Sequence, residues 1–278
     1  MRNVLKTTVV TATAAGLALT LAACGSDSST GGASADPNKA LTVVASPTPH
    51  AQILQYVKDN LAASAGLKLD IKVVNDYVTP NTSVQDGSAD ANYFQHVPYL
   101  EEFNKKNGTN VVSVETVHLE PLGLYSKKVK AVTELADGAQ VALPNDATNE
   151  GRALKLLADN NVITLKSGAG VTASVQDIAS NPKNLKFKEL EAAQLPRALP
   201  DVDAAVINGN YALEANLKPA TDALILEKAE GNPYANILAV KKGNESDPRV
   251  KKLAELLHSD QVKKYIQDTF QGSVIPAF

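Results

Sequence analysis

Two strand-to-helix turns hold the polar side chains best suited to grip a small charged molecule. The first is Leu143-Pro144-Asn145-Asp146-Ala147-Thr148-Asn149-Glu150-Gly151-Arg152. In an α/β sheet, ligands settle in the crevice beyond the carboxyl ends of strands, where a starting helix offers free N–H groups to an anion. Arg152 falls in or near the first turn, one turn after Thr148, so its guanidinium can complete a bidentate grip on a carboxylate; the alternative is a surface arginine on an ordinary capped helix. The second turn is Ile207-Asn208-Gly209-Asn210-Tyr211. Asn208 there can donate to a carboxylate and accept from an ammonium, as an α-amino acid requires, or it can serve only as a helix cap. Asn236, in Pro233-Tyr234-Ala235-Asn236, offers another amide at a chain crossing or simply forms a turn. Asn75-Asp76-Tyr77 and Asn92-Tyr93-Phe94-Gln95-His96 put aromatic and imidazole groups at strand ends. They suit an apolar wall with a polar rim, of the kind that favours a thioether sulfur, although Phe94 fits core packing equally well.

Other chemistries find less support. There is no Gly-x-Ser-x-Gly, no P-loop, no His-Glu-x-x-His and no Gly-x-Gly-x-x-Gly, which weakens a hydrolase, nucleotide-enzyme or zincin reading. Of the four histidines, His50, His96 and His118 fall in the amino-terminal half, and with a carboxylate they suit a transition metal, as in some metal-capturing lipoproteins. No two lie at helical ligand spacing, so the expectation is no metal and no cofactor. His258, in a charged carboxy-terminal helix, reads as solvated.

These groups need elements to place them. Leu41–Ala45 reads as a strand, followed by a helical stretch from Ala51 to Leu61 with Ile53, Leu54 and Val57 on one face. Leu67–Val74 alternates as a half-buried strand, a short helix follows Thr79-Pro80-Asn81, and a third strand lies around Ala89–Phe94. Pro98 opens a helix through Lys105 that Asn107-Gly108 stops. Val111–Leu119 is a strand that runs past Pro121 toward Tyr125, where the chain leaves its first lobe. A second series then reads as a strand at Ala139–Leu143, a helix at Ala147–Asp159, a helix at Val171–Ala179, and strands at Leu185–Leu190 and Asp203–Ile207. Strands separated by helices argue for parallel sheets covered on both faces. Ala235–Val240 is a late strand, and helices at Pro248–Leu257 and Gln261–Phe270 end the chain. If the late strand rejoins the first sheet, two crossings connect two lobes: residues 40–121 with 235–278, and residues 122–234, with a cleft between them.

Composition and the amino terminus supply the address. The 278 residues are 44% hydrophobic, and 27 basic against 30 acidic side chains give a net charge of −3, so nothing suggests a nucleic-acid partner. Arg2 and Lys6 precede an uncharged small-residue run from Thr7 to Ala23, the layout of a secretory signal over residues 1–23. It closes in Leu21-Ala22-Ala23-Cys24, which resembles the bacterial lipobox. Cys24, the sole cysteine, is therefore the expected lipidation site, and several acyl chains of the palmitate type at about 0.8 kcal/mol per methylene would anchor it firmly. Residues 24–39 read as a flexible tether rich in Ser and Gly.

Several segments together resemble the NlpA/MetQ lipoproteins. They are Asn75-Asp76-Tyr77, Gln95-His96-x-Pro98-Tyr99-Leu100, Pro121-Leu122-x-x-Tyr125-Ser126, Pro144-Asn145-Asp146-x-Thr148-Asn149-x-Gly151-Arg152, Asn181-Pro182, Ala205-Val206-Ile207-Asn208 and Pro233-Tyr234-x-Asn236. The resemblance spans essentially the whole mature chain. It implies a non-enzymatic, two-lobed periplasmic-binding-protein-like α/β fold closing on its ligand. The implied function is a lipid-anchored receptor on the extracytoplasmic face of the cell membrane, which captures L-methionine for an ABC permease with a cytosolic ATPase. Relatives of this type also leave room for another amino acid or a methionine-containing dipeptide. By the resemblance, Arg152 holds the ligand carboxylate, Asn145, Asn208 and Asn236 bond its ammonium and carboxylate, and Tyr77, Phe94 and His96 line the side-chain pocket. His50 flanks the cleft.

Overall fold

The computed structural model describes Asp36 and residues 38–278, so the leader expected at 1–23, Cys24 and most of the tether lie outside the described residues. Leu41–Ala45 (β1) is buried on both faces: Leu41, Val43 and Ala45 enter one apolar cluster and Val44 another. A strand buried on both sides must be central, and β1 pairs in parallel with Leu69–Val73 (β2) and Ala91–His96 (β3). The helical stretch between β1 and β2 is regular only over Gln52–Val57 (α1) and continues as a wider turn through Lys58–Ala62; Ile53, Leu54 and Val57 pack on β1 as the periodicity predicts. Thr79–Asp86 (α2) leads into β3, and Val97–Asn107 (α3) leads out of it to stop at Gly108, whose φ of 65° suits glycine.

Val111–Leu119 (β4) completes the chain's first visit to this sheet. Three residues later Gly123–Tyr125 (β5) belongs to a second sheet, with Gln140–Pro144 (β6), Lys186–Leu190 (β9), Ala204–Ile207 (β10) and Ile225–Leu226 (β11). Between β6 and β9 come Ala147–Asp159 (α4) and a small antiparallel ribbon of Thr164–Leu165 (β7) with Ile178–Ser180 (β8). The order of the second sheet is β11-β5-β10-β6-β9. Asn236–Lys241 (β12) returns to the first sheet and inserts antiparallel between β3 and β4, and Ile275–Pro276 (β13) pairs with the far side of β4. That sheet reads β13-β4-β12-β3-β1-β2.

Both sheets are therefore mixed rather than parallel. Parallel neighbours need a long crossover, and β5 and β12 are not products of one: each enters its sheet directly from a crossing segment. Separate apolar clusters cover the two faces of each sheet. Short helices at Leu195–Ala198 (α5), Gly209–Glu214 (α6) and Pro219–Asp222 (α7) flank β10, and the last helices, Pro248–Leu257 (α8) and Asp260–Phe270 (α9), lay Leu253, Leu257, Val262 and Ile266 on the β1 side of the first sheet. Among the described residues no helix is long and apolar enough to cross a membrane.

Two local expectations fail for visible reasons. Val171–Ala179 is no helix: Ser174 and Asp177 bond each other's side chains and backbone around a single turn, and Ile178–Ser180 pairs as β8 instead. His258 is half-buried, its Nε2 2.5 Å from the Thr116 carbonyl and its ring stacked on Phe278, so it is not a freely solvated side chain.

Candidate functional site

The start of α4 is built around Asp146. As N-cap its Oδ1 accepts from the Asn149 N–H at 3.0 Å, and its carboxylate takes both available bonds from Asn149 Nδ2, at 2.9 and 3.0 Å. Gly151 lets the helix sit against the backbone of 171–173, where any Cβ would collide with Val171 O and Ala173 N. One residue on, in the second turn, Arg152 is 4% exposed. Its fork is already occupied: Nε donates to Glu227 Oε1 at 2.9 Å, and Nη2 donates to Glu227 Oε2 at 2.5 Å and to Glu120 O at 3.0 Å. Tyr234 lays its ring 4.3 Å from the guanidinium carbon. The bidentate edge expected for a ligand belongs to Glu227, and Nη1 has no partner among the described residues. Burial works against the Glu227 charge, but Arg152 and the N–H of Leu122 outweigh it and hold the carboxyl below the usual range.

A row of amides leads away from Arg152. Asn149 Oδ1 accepts from Asn208 Nδ2 at 2.9 Å and faces His96 Nε2 at 3.3 Å. Asn208 occupies the N-cap position of Gly209–Glu214 (α6), yet its side chain makes no cap bond. Its Oδ1 is buried without a partner among the described residues, as is Asn210 Nδ2, while Asn210 Oδ1 accepts from Tyr77 OH at 2.6 Å. A buried polar atom left unpaired costs about 1–3 kcal/mol, and both of these residues line the same cavity. Gly209 is required here because a Cβ would lie 2.7 Å from Glu120 Cβ. The Asn210 N–H bonds the Glu120 carboxylate from the same turn.

At the other end, Tyr77, Phe94 and Tyr99 stand 5.7–6.0 Å apart, centroid to centroid. Phe94 and His96 come from β3, and His96 caps α3, its Nδ1 accepting from the Tyr99 N–H at 3.2 Å. That bond assigns the ring proton to Nε2, which then donates to Asn149. Burial and then the Arg152 charge push His96 down to about 3, so the ring is neutral.

The other two first-half histidines form a separate group under the cavity. Glu120 Oε1 lies 2.7 Å from His118 Nε2 and 3.2 Å from His50 Nε2, and His118 Nδ1 bonds Tyr93 OH. His50 Nε2 also meets Asn236 Oδ1 at 2.9 Å. Burial lowers His50 to about 4 and His118 to about 3, and it raises Glu120 against the pull of His50 and Arg152. The ligating atoms of His50, His118 and Glu120 lie within 4.8 Å of one another. His96 bonds Asn149 instead, so the three imidazoles do not converge on one point, and His50 Nδ1 is left without a partner among the described residues.

Six of the seven residues that the sequence points to thus surround one cavity: Tyr77, Phe94, His96, Arg152, Asn208 and Asn236. Asn145 does not. It precedes the N-cap, is exposed, and spends its N–H on Leu190 O. Asn149 lines the cavity instead, because it shares a helical face with Arg152 three residues later. Gln95, Glu120, Tyr99 and Asn210 also line it, beyond the residues that the sequence points to. The alternation His118-x-Glu120 at the end of β4 was the available signal for Glu120.

The match to known proteins covers the whole described body. Residues 41–278 fit the family model described as NlpA lipoprotein. The methionine-binding lipoprotein MetQ of Bacillus subtilis is 42% identical over 260 residues, 92% of this chain and 93% of that protein. The D-methionine-binding lipoprotein MetQ of Escherichia coli is 41% identical over 262 residues, with 92% and 93% covered. A solved structure of a nutrient-binding protein from Burkholderia cenocepacia bound to methionine superposes with a TM-score of 0.83 at 46% identity, covering 86% of this chain and all of that one. With its mixed α/β sheets and its cavity of amides and rings, the chain belongs to the NlpA lipoprotein family.

Proposed function

We infer that this protein is a lipid-anchored receptor on the extracytoplasmic face of the cell membrane that captures L-methionine and passes it to an ABC permease with a cytosolic ATPase. The observation that carries the reading is one cavity with a guanidinium and Asn208 Oδ1, buried and unpartnered among the described residues, on one side and three aromatic rings on the other. An α-amino acid with an apolar, polarizable side chain has that polarity along its length.

In this reading Arg152 Nη1 takes the ligand carboxylate. Asn208 Oδ1 and Glu120 receive the ammonium, Asn236 completes the polar end, and Tyr77, Phe94 and Tyr99 receive the thioether. Residues 40–121 with 235–278 form one lobe and 122–234 the other. Tyr77–Asn210, His96–Asn149 and Asn75–Glu214 bonds join the two sheets' halves across the cleft. Such bonds form only when the lobes close, so a ligand that bridges the same gap shifts a hinge equilibrium toward the closed form. The protein performs no chemistry on its cargo. Isothermal titration of the detergent-solubilised full chain, stripped of ligand by unfolding and refolding, tests the reading: L-methionine should bind saturably at one site, and no heat with methionine alongside saturable binding of another amino acid would replace the ligand.

A further inference from the structure

Glu227 does not line the cavity, yet it holds the one arginine that does. Its carboxylate holds the Nε and Nη2 edge of Arg152 at 2.9 and 2.5 Å and also accepts from the Leu122 N–H at 3.1 Å. Leu122 lies on the outgoing crossing between the sheets, and Glu227 begins the return crossing, directly after β11. The Glu120 carbonyl takes the second Nη2 bond, and the Tyr234 ring covers the guanidinium face. Four contacts from the two crossings therefore fix a side chain that α4 supplies, and Arg152 forms the partition between the ligand cavity and a larger groove lined by Glu227 and Lys228.

Two consequences follow from charge and geometry. A guanidinium held on one edge can offer a ligand only its remaining nitrogen, so the carboxylate is met in a fixed direction rather than by a free fork. Arg152 is also already balanced by one half-buried carboxylate, so an incoming second carboxylate is tolerated only when its own ammonium accompanies it. Resting on the receptor reading above, we propose that Glu227 is the positioning residue for Arg152, aiming Nη1 at the ligand carboxylate and thereby setting selectivity for a neutral zwitterion.

The test compares two ligands on each variant, so that partial unfolding cancels. Dissociation constants for L-methionine and for L-methioninamide, which keeps the ammonium and thioether but has no carboxylate charge, are measured on the full chain, on Glu227→Ala and on Glu227→Gln. The Gln variant keeps the side-chain volume, and it directs an N–H at the guanidinium where an acceptor stood. If Glu227 aims Arg152, the dissociation constant for methionine divided by that for methioninamide rises at least tenfold in both variants, because methionine weakens far more than its amide. If both ligands weaken together and the ratio is unchanged, Glu227 is merely structural and the proposal is overturned. Should the Ala variant fail to fold, the Gln variant decides by the same ratio. Absence of methionine binding by the unaltered chain would sink the receptor reading itself, and the proposal with it, before any variant is compared.

Discussion

Two clusters of buried amides treat their hydrogen bonds in opposite ways. In the first sheet's half, Asn81 and Gln95 exchange reciprocal bonds at 2.8 and 2.7 Å, and Asn92 donates to Asn81 Oδ1 and to Pro80 O while accepting from Gln95. Every nitrogen and oxygen of those three side chains is used. Around the cavity, Asn149 is equally committed, but Asn208 Oδ1 and Asn210 Nδ2 are buried and unpaired among the described residues. The same residue type thus closes on itself in one cluster and stays open at two atoms in the other. A closed network rigidifies, whereas an open one carries a standing cost that only a ligand removes.

That contrast can be broken by substitution. The largest effect belongs to Arg152→Ala: removing one partner of a buried charge contact costs on the order of 3 kcal/mol or more, so methionine affinity should fall more than 100-fold by titration calorimetry. Wild-type affinity in that variant would remove Arg152 from the site.

Acid should act next, through the buried rings. His50, His96 and His118 sit at about 4, 3 and 3 in the folded protein against 6.5 when free. Their folded values are depressed, so the unfolded chain takes up protons first. The stability they contribute is complete above pH 6.5 and is lost as the pH falls through 6.5 toward 4, at up to about 1.4 kcal/mol per pH unit for each ring. Glu120, raised by burial, opposes part of this loss. Calorimetric melting of the ligand-free protein should therefore show a falling transition temperature between pH 6.5 and 4, and a flat profile there would mean that the rings are not buried neutral.

The amide comparison itself is sharpened by a paired substitution. Asn81→Ala should destabilise the ligand-free protein by about 1–3 kcal/mol, since it strands Gln95 and Asn92, and should leave methionine affinity within a few-fold. Asn208→Ala should do the reverse, with a roughly tenfold loss of affinity and an almost unchanged denaturation midpoint. Equal stability losses in both would erase the distinction between framework and receptor. The smallest effect is expected from Tyr99→Phe, which removes the bond from Tyr99 OH to Tyr77 O at 2.9 Å and keeps the ring; about 1 kcal/mol, or a several-fold change in dissociation constant, should result.

Much of the scaffold is legible in the sequence because local pattern and tertiary role agree there. Helices α4 and α8 begin and end where the apolar period and the cap residues place them. β1 and β4 likewise match their apolar and β-branched runs. Val171–Ala179 misleads because its composition permits a helix while the Ser174–Asp177 side-chain bonds stabilise a turn. Strand direction is hidden too, since whether β12 lies parallel or antiparallel depends on which side it enters from. In the site, residue types at strand ends point to six of the residues that meet. Asn145 is displaced by Asn149 because one position across a helix start turns a side chain from solvent to cavity. The occupied fork of Arg152 could not be read at all, since Glu227 is 75 residues away in the chain.

A cavity that receives methionine should retain it through gentle purification. The most direct test denatures the full chain, purified under native conditions from cells grown without added ligand, and identifies by mass spectrometry whatever small molecule is released. Near-stoichiometric methionine is the expected result. A different amino acid or a dipeptide in that amount would contradict the assignment of the three-ring pocket to a thioether, and a metal without any organic ligand would contradict the receptor reading and direct attention to His50, His118 and Glu120.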